Sequence, residues 1–470
     1  MENTAPRLPA SRGLLLALAL LALTSLAAAQ GVYQTGALPG DLPLSRLPEN
    51  KDLREAVMDS LLMAPTNAAL AFRSRDAVNA WGAWNISVRR ERDALYAVFA
   101  PLRGTVRHDY AQGSWILKRS LADGSPLQVK IFLRSDRNTF IRVYPFGDRC
   151  LMDVVAYGGV LYHKVILPLP FDALLNSPFS RIMDLSSAVV DWDLFSPDPA
   201  LYSGLRDLIA GIRLRLPGLR FADDGATDAD GTPVRIADLS PQPEPAGLNC
   251  SGFAKWIVDG LAKPVSGRWL AVAPLKERML DYRGSSFTEK YEESMDPFFG
   301  LDWARALALR LWGIMYPSRT EPSPLAYDVN ESPFSLIVRA ADALNGDSLY
   351  EPFSANFDDA GIETRGLSGM LYLLAVREPG RWYLAEFSAR SRVEPRLRRY
   401  FHLAALFPYV DSDGVFRVAV FESAAETSLQ RILADPDYEF VKLVRMPSSP
   451  RFDPPVLPSP AAGAGQAGTP

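Results

Sequence analysis

The chain has 470 residues, of which 48% are hydrophobic, and its formal net charge at pH 7 is −4. This length allows two or three domains with substantial cores. The mild acidity argues against nucleic acid or an anionic membrane as the main partner. Two cysteines in so long a chain exclude a disulfide framework.

The first 29 residues have the pattern of a secretory signal peptide. Arg7 and Arg12 precede an apolar stretch at 14–23, and three alanines at 27–29 form a small-residue cleavage site. The apolar stretch is too short to span a membrane. We therefore expect an exported protein of the periplasm or extracellular space, with no integral membrane span after cleavage.

The next part of the chain predicts a β-rich domain. Residues 30–50 have no periodicity and indicate a leader or linker, and 51–215 are predicted to form an antiparallel N-terminal domain with flanking helices. Short runs rich in β-forming residues alternate there with turn residues, as in a meander. The runs are Ser114–Arg119, Leu127–Arg134, Thr139–Phe146, Cys150–Tyr157 and Val160–Leu167.

A second domain is predicted after a proline-containing linker at 216–245. Residues 246–446 begin with helical patterns and continue with strand-like segments, so helices precede the sheet in this domain. The predicted strands are Met370–Val376, Trp382–Ser388, Phe401–Phe407 and Phe416–Glu422. The stretch 447–470 is rich in Pro, Ala, Gly and Ser, a composition typical of a disordered tail.

Three residues of the second domain are candidates for nucleophilic catalysis. Cys250 precedes a helix-like run, and the dipole of a helix favours a thiolate at its start. His402 is the only histidine after Cys250 and opens an apolar strand, and Glu422 ends the next strand. In an antiparallel hairpin the end of the second strand returns to the start of the first. Cys250, His402 and Glu422 are therefore candidates for a nucleophile, a base and the group that orients the base, and Asp411 and Asp413 at the turn of the hairpin are weaker candidates for the last role.

The residues around Cys250 also resemble a known family. Asn249-Cys250-Ser251-Gly252-Phe253 is similar to the Asp-Cys-Ser-Gly-Phe/Val signature of NlpC-type papain-like cysteine peptidases of bacterial cell walls. The run from Gly366 to Tyr372 resembles the glycine-containing turn into the first strand of that family's sheet. Asn249 replaces the usual aspartate, the family's tyrosine-containing lead-in is absent, and residues 265–365 would be a helical insertion.

The resemblance implies a fold and a reaction. The fold class it implies is α+β, with a papain-like C-terminal domain after the β-rich antiparallel domain. The reaction would be hydrolysis of an amide bond through a thioester on Cys250, with a peptidoglycan stem peptide as substrate. No cofactor is expected, and the three scattered histidines, His108, His163 and His402, lack the spacing of a metal site.

Two other interpretations of Cys250 are open at this point. Export would permit a disulfide between Cys150 and Cys250, which would eliminate thiolate chemistry. Alternatively, a degenerate papain-like domain would bind the cell envelope or act as a scaffold without catalysis. The reactivity of the Cys250 thiol distinguishes these interpretations from an enzyme.

Overall fold

The computed structural model describes residues 40–457 except 93, 280–289, 291–295, 319, 321, 339–349, 358–359, 391, 393 and 395. The predicted signal peptide, residues 30–39 of the predicted leader and residues 458–470 of the predicted tail therefore lie outside the described residues. The described residues belong to one compact unit that begins at Gly40. The predicted boundary at 216–245 between two domains stays a prediction.

A long antiparallel meander forms the first sheet, as the alternation of β runs and turns predicts. Its strands up to residue 167 are β1 (Arg75–Asn79), β2 (Gly82–Glu91), β3 (Ala94–Arg103), β4 (Val106–Arg107), β5 (Trp115–Ser120), β6 (Pro126–Phe132), β7 (Phe140–Phe146), β8 (Arg149–Ala156) and β9 (Gly159–Leu167). Side chains of β3 alternate between two apolar cores, one on each face of the sheet. The central strands are therefore buried on both faces.

Four short strands follow, and two of them enlarge this sheet. They are β10 (Gly225–Thr227), β11 (Pro233–Arg235), β12 (Leu336–Val338) and β13 (Tyr350–Pro352). β10 and β11 form a separate hairpin. β12 pairs with β9 and β13 pairs with β12, both antiparallel. Within the described residues the first sheet thus has 11 strands, drawn from both halves of the chain.

The second sheet carries the candidate site. Its strands are β14 (Ile362–Glu363), β15 (Trp382–Arg390), β16 (Arg398–Val410), β17 (Phe416–Glu422), β18 (Ala425–Thr427) and β19 (Phe440–Met446). They pair antiparallel in the order β14-β19-β15-β16-β17-β18. Along β15, Trp382 and Leu384 enter the core on one face, and Tyr383, Ala385 and Phe387 enter the core on the other.

Helices cover both faces of the second sheet. The helices are α1 (Lys51–Glu55), α2 (Thr66–Leu70), α3 (Phe171–Leu175), α4 (Phe179–Ser186), α5 (Ser203–Arg215), α6 (Cys250–Ser266), α7 (Phe299–Met315), α8 (Leu367–Arg377) and α9 (Leu429–Ala434). The apolar faces of α5, α6 and α7 share one core with the second sheet. Most of α8 lies in the other core, which also contains residues of the first sheet. No helix in the described ranges has the length and apolar character needed to cross a membrane.

The predicted fold class, α+β with a papain-like C-terminal domain, is wrong. The structure is mostly antiparallel sheet with about 29% helix. β12 and β13, which the prediction assigned to a helical insertion at 265–365, extend the first sheet instead.

The predicted strand Met370–Val376 is also wrong, because these residues belong to α8. Residues 370–375 are all buried, and Tyr372 donates a hydrogen bond to the Leu194 carbonyl. A helix that is buried on every side has no polar face, so its sequence lacks the 3.6-residue period that distinguishes a helix from a buried strand. The segment that begins at Gly366, which the resemblance predicts as a turn into a strand, therefore leads into a helix.

The start of the predicted disordered tail packs against α6. The backbone N–H of Asp453 donates to the Gly260 carbonyl at 2.8 Å. The indole of Trp256 donates to the Pro455 carbonyl at 2.8 Å, and Phe452 contacts the same indole edge-on. Residues 452–455 are therefore held by α6 despite the low-complexity composition of the stretch.

Burial of α8 between the two sheets can be tested by truncating one side chain. Leu371 is fully buried, so Leu371→Ala should lower the free energy of unfolding by about 2–5 kcal/mol. Leu433 on α9 is 36% exposed, and Leu433→Ala should cost less than about 1 kcal/mol. Denaturant unfolding of both variants measures the difference, and equal losses would contradict the position of α8.

Candidate active site

The start of α6 is held by a cap and by a close backbone approach. The side chain of Asn249 accepts a hydrogen bond from the Gly252 N–H at 2.7 Å, and the Asn249 N–H donates to the Gly225 carbonyl at 3.0 Å. Asn249 thus satisfies the N-cap requirement that aspartate meets in the similar signature. Gly225 and Gly252 lie so close that a Cβ on Gly252 would be 1.9 Å from the Gly225 carbonyl oxygen. The glycine of the Cys-Ser-Gly run is therefore required by packing.

His402 and Glu422 meet at the end of the β16–β17 hairpin. The pairing of β17 with β16 begins at Phe421 opposite Ala405, so β16 extends beyond the end of β17. Glu422 leads into a tight turn in which Ser423 and Ala424 have positive φ values of 49° and 65°. The carboxylate of Glu422 lies 2.5 Å from Nε2 of His402. The hairpin argument from the sequence predicts this pair.

Cys250 lies against the exposed end of β16. The His402 imidazole, the Leu403 N–H and the Ser251 side chain lie close enough to the Cys250 side chain to lower the pKa of its thiol. Because Glu422 contacts Nε2, Nδ1 is the ring nitrogen left for the sulfur. The structure therefore brings all three predicted residues together in the order Cys250, His402, Glu422.

The pKa shifts of the three residues favour a thiolate–imidazolium pair. Burial opposes ionisation of Cys250, but the hydrogen bond and positive charge of His402 outweigh it, so the pKa of the thiol is lowered. Burial disfavours protonated His402, but the hydrogen bonds to Cys250 and Glu422 raise its pKa to about 9. The hydrogen bond to His402 in turn lowers the pKa of Glu422.

Aromatic rings fix the plane of the imidazole. Tyr438 stacks on His402 with ring centroids 5.4 Å apart and an angle of 9° between the planes. Phe387 stacks against Tyr438 with ring centroids 4.5 Å apart and lies 6.2 Å from the His402 ring, and Phe401 contacts Tyr438 at 5.7 Å. Sequence reasoning missed Tyr438, since it lies in the loop between α9 and β19 and belongs to no motif.

Sequence reasoning also missed a buried carboxyl group beside the site. Glu386 lies within the apolar strand β15, is fully buried, and has no hydrogen-bond partner for either oxygen within the described residues. Cys250 and His402 are among the charges that shift its pKa. A charged residue inside an otherwise apolar strand was the sequence signal that would have found it.

The remaining cysteine and histidines lie in the first sheet or its turns. Cys150 and Cys250 are both free, and burial together with Asp172 raises the pKa of Cys150 to about 11. The disulfide alternative is therefore not formed. His163 contacts the buried Asp153 at 2.8 Å, and His108 lies in the turn after β4. Within the described ranges, no three His, Cys, Asp or Glu side chains are grouped as metal ligands.

Comparison with known proteins concerns the first sheet alone. Residues 43–194 match a family described as a domain of unknown function, DUF8515. This segment contains β1–β9 and α1–α4 but neither Cys250 nor His402. No curated protein and no solved structure matches the chain. The comparisons therefore leave the resemblance of the Cys250 motif to NlpC-type peptidases as a proposal.

The packing at Gly252 can be tested with a matched pair of helix glycines. Gly252→Ala forces a methyl group into the Gly225 carbonyl, so it should lower the free energy of unfolding by about 2 kcal/mol or more. Gly313 in α7 has open space around its Cβ position, and Gly313→Ala should raise stability by about 0.5–1 kcal/mol. Chemical denaturation measures both, and a neutral Gly252→Ala would contradict the close approach.

Proposed function

We propose that the protein is a cysteine hydrolase that cleaves an amide bond through a thioester on Cys250. The observation that carries this proposal is the chain of contacts from Cys250 to His402 and from His402 to Glu422. A thiol at the start of a helix, hydrogen-bonded to an imidazole that a carboxylate orients, is the arrangement that nucleophilic acyl transfer requires.

The proposed reaction uses each residue in turn. The Cys250 thiolate attacks the amide carbonyl carbon and forms a C–S bond. The His402 imidazolium gives its proton to the leaving nitrogen as the C–N bond breaks, which leaves a thioester. Water then attacks the thioester while His402 takes its proton, and the thiolate is released with the carboxylic acid product.

Charge that develops on the carbonyl oxygen has a stabilising partner at the start of α6. The N–H groups of Cys250 and Ser251 lie in the first turn, where no carbonyl of the same helix can reach them. The N–H of Gly252 already donates to the side chain of Asn249. The two remaining N–H groups and the helix dipole are therefore the proposed oxyanion donors.

The substrate class follows from the resemblance and from predicted export. We propose a peptidoglycan stem peptide as substrate, as the similarity of residues 249–253 to the NlpC-type signature suggests. Export to the periplasm or extracellular space, proposed from residues 1–29, would bring the protein to that substrate. The fold itself supplies no support for this choice of substrate.

Thiol reactivity tests the ion pair. Between about pH 6.5 and 8.5 the alkylation rate of Cys250 by iodoacetamide should change less than about threefold, whereas a simple thiol of pKa about 8.5 gains about fiftyfold. His402 has a pKa of about 9, so its stabilising proton is present below that pH and is lost above it. Peptide mapping by mass spectrometry follows Cys250, and buried Cys150 in the same sample is the control.

His402→Ala should abolish the flat profile, because the thiolate then loses both its hydrogen bond and its counter-charge. The variant's alkylation rate should rise with pH as that of a simple thiol does. A wild-type Cys250 that already follows the simple thiol would overturn the ion pair and with it the proposed reaction.

Hydrolysis is tested with purified stem peptides that contain a γ-linked D-glutamate. The wild type should release a new amino group, and Cys250→Ala should lower the rate at least about 10³-fold because the nucleophile is gone. Glu422→Gln keeps the shape of the side chain but removes the charge that holds His402, so it should lower the rate about 10–100-fold. Arg213 pairs with Glu426 on the exposed surface, and Glu426→Gln is the matched control with an unchanged rate.

The binding-only alternative has its own outcome in this assay. Wild type and Cys250→Ala would then bind cell-wall material equally and neither would release an amino group. That result, obtained with a reactive Cys250, would reject the hydrolase while leaving the ion pair intact.

A further inference from the structure

Glu386 is a carboxyl group without a partner beneath the candidate site. It lies in the middle of β15, its exposure is 0%, and neither oxygen has a hydrogen-bond partner within the described residues. The Cα of Gly300 in α7 lies directly over it, and a Cβ there would be 2.6 Å from Oε2 of Glu386. Burial of an ionised carboxylate without a partner is strongly unfavourable.

Charged groups face Glu386 from four elements. They are Cys250 at the start of α6, Asp302 and Arg305 on α7, His402 on β16, and Lys442, the residue opposite Glu386 on β19. The negative charges of Cys250 and Asp302 disfavour ionisation of Glu386, and the positive charges of His402 and Arg305 favour it. The protonation of Glu386 therefore depends on the charges of Cys250 and His402.

The neighbouring cations are directed to other partners. Arg305 donates to Asp328 at 2.7 Å, and its Nη1 has no hydrogen-bond partner in the described part of the chain. Lys442 donates to the side chain of Asn330 at 2.8 Å and lies 3.7 Å from Asp328. Neither cation forms a hydrogen bond with Glu386. Burial, followed by the charge of Cys250, accordingly raises the pKa of Glu386 well above its usual value.

We propose that Glu386 and Cys250 share one negative charge at the base of the site. Glu386 holds its proton while Cys250 is a thiolate, and it releases that proton to bulk water when acylation turns the sulfur into a neutral thioester and removes the neighbouring negative charge. The ionised carboxylate then favours protonation of His402, which must accept a proton from the attacking water during deacylation. Glu386 is a positioning residue in this scheme, since it acts through His402 and touches no reacting atom.

The inference rests on the proposed function for its catalytic consequence but not for the charge coupling itself. The coupling is measured by infrared spectroscopy on the full chain. The C=O band of a protonated carboxylic acid should be present at neutral pH in the wild type and absent from Glu386→Gln. Carboxamidomethylation of Cys250 makes the sulfur neutral, as a thioester does, so the band should then disappear at a pH at least about one unit lower.

Asp259 provides a matched control for this measurement. It is a second buried carboxyl group on α6, with its pKa raised by burial to about 6, and it is paired with Lys255. Nine residues along the helix separate it from Cys250, or about 14 Å at the usual rise. The infrared band lost in Asp259→Asn should titrate at the same pH before and after alkylation.

A kinetic readout tests the consequence for deacylation. Glu386→Gln cannot ionise, so deacylation should slow about tenfold while acylation is retained, and the acyl-enzyme on Cys250 should accumulate in the mass spectrum. Absence of the wild-type Glu386 band at neutral pH, or a band that does not move on alkylation, would overturn the inference. If the band moves but no stem peptide is cleaved, the coupling stands and the proposed function fails.

Discussion

The docking of the first turn of α6 onto the free end of β16 is the interaction on which the candidate site depends. Cys250 reaches His402 only because Gly252 allows the helix to approach Gly225 and because β17 stops before His402. The Leu403 N–H, left at a strand edge, also lowers the pKa of the Cys250 thiol. A helix dipole, an edge amide and an imidazolium therefore act on one thiol, and together they exceed the cost of its burial.

Burial strengthens every charge interaction around this thiol. The charged and polar side chains beneath the thiol therefore influence its ionisation. The ion pair of Arg305 with Asp328 and the contact of Lys442 with Asn330 lie among apolar side chains, where an unpaired charge is costly. Among the described residues, neither carboxylate oxygen of Glu386 has a hydrogen-bond partner. Its neutral form keeps the region from accumulating negative charge beside a thiolate and the ionised Glu422.

The family match concerns the first sheet and not the second, although the two sheets are packed together. The family match covers 43–194, which contains most of the first sheet, whereas the candidate site lies on the second. The sheets share a core through α8, and β12 and β13 return from the second half of the chain to the first sheet. Residues 336–338 and 350–352, which the sequence assigned to an insertion within the second half, are therefore strands of the first sheet. For this reason the papain-like fold predicted from the Cys250 motif does not describe the chain.

Local sequence determined much of the site. Asn249 and Gly252 define a helix start at Cys250, and a short hairpin returns Glu422 to His402, because capping and hairpin pairing act within a few residues. The tertiary structure alone decided that 367–377 is a helix, that 336–338 and 350–352 join the first sheet, and that Glu386 lies beneath the thiol. These features depend on burial by segments distant in sequence, and a fully buried segment has no polar periodicity from which its neighbours can be deduced.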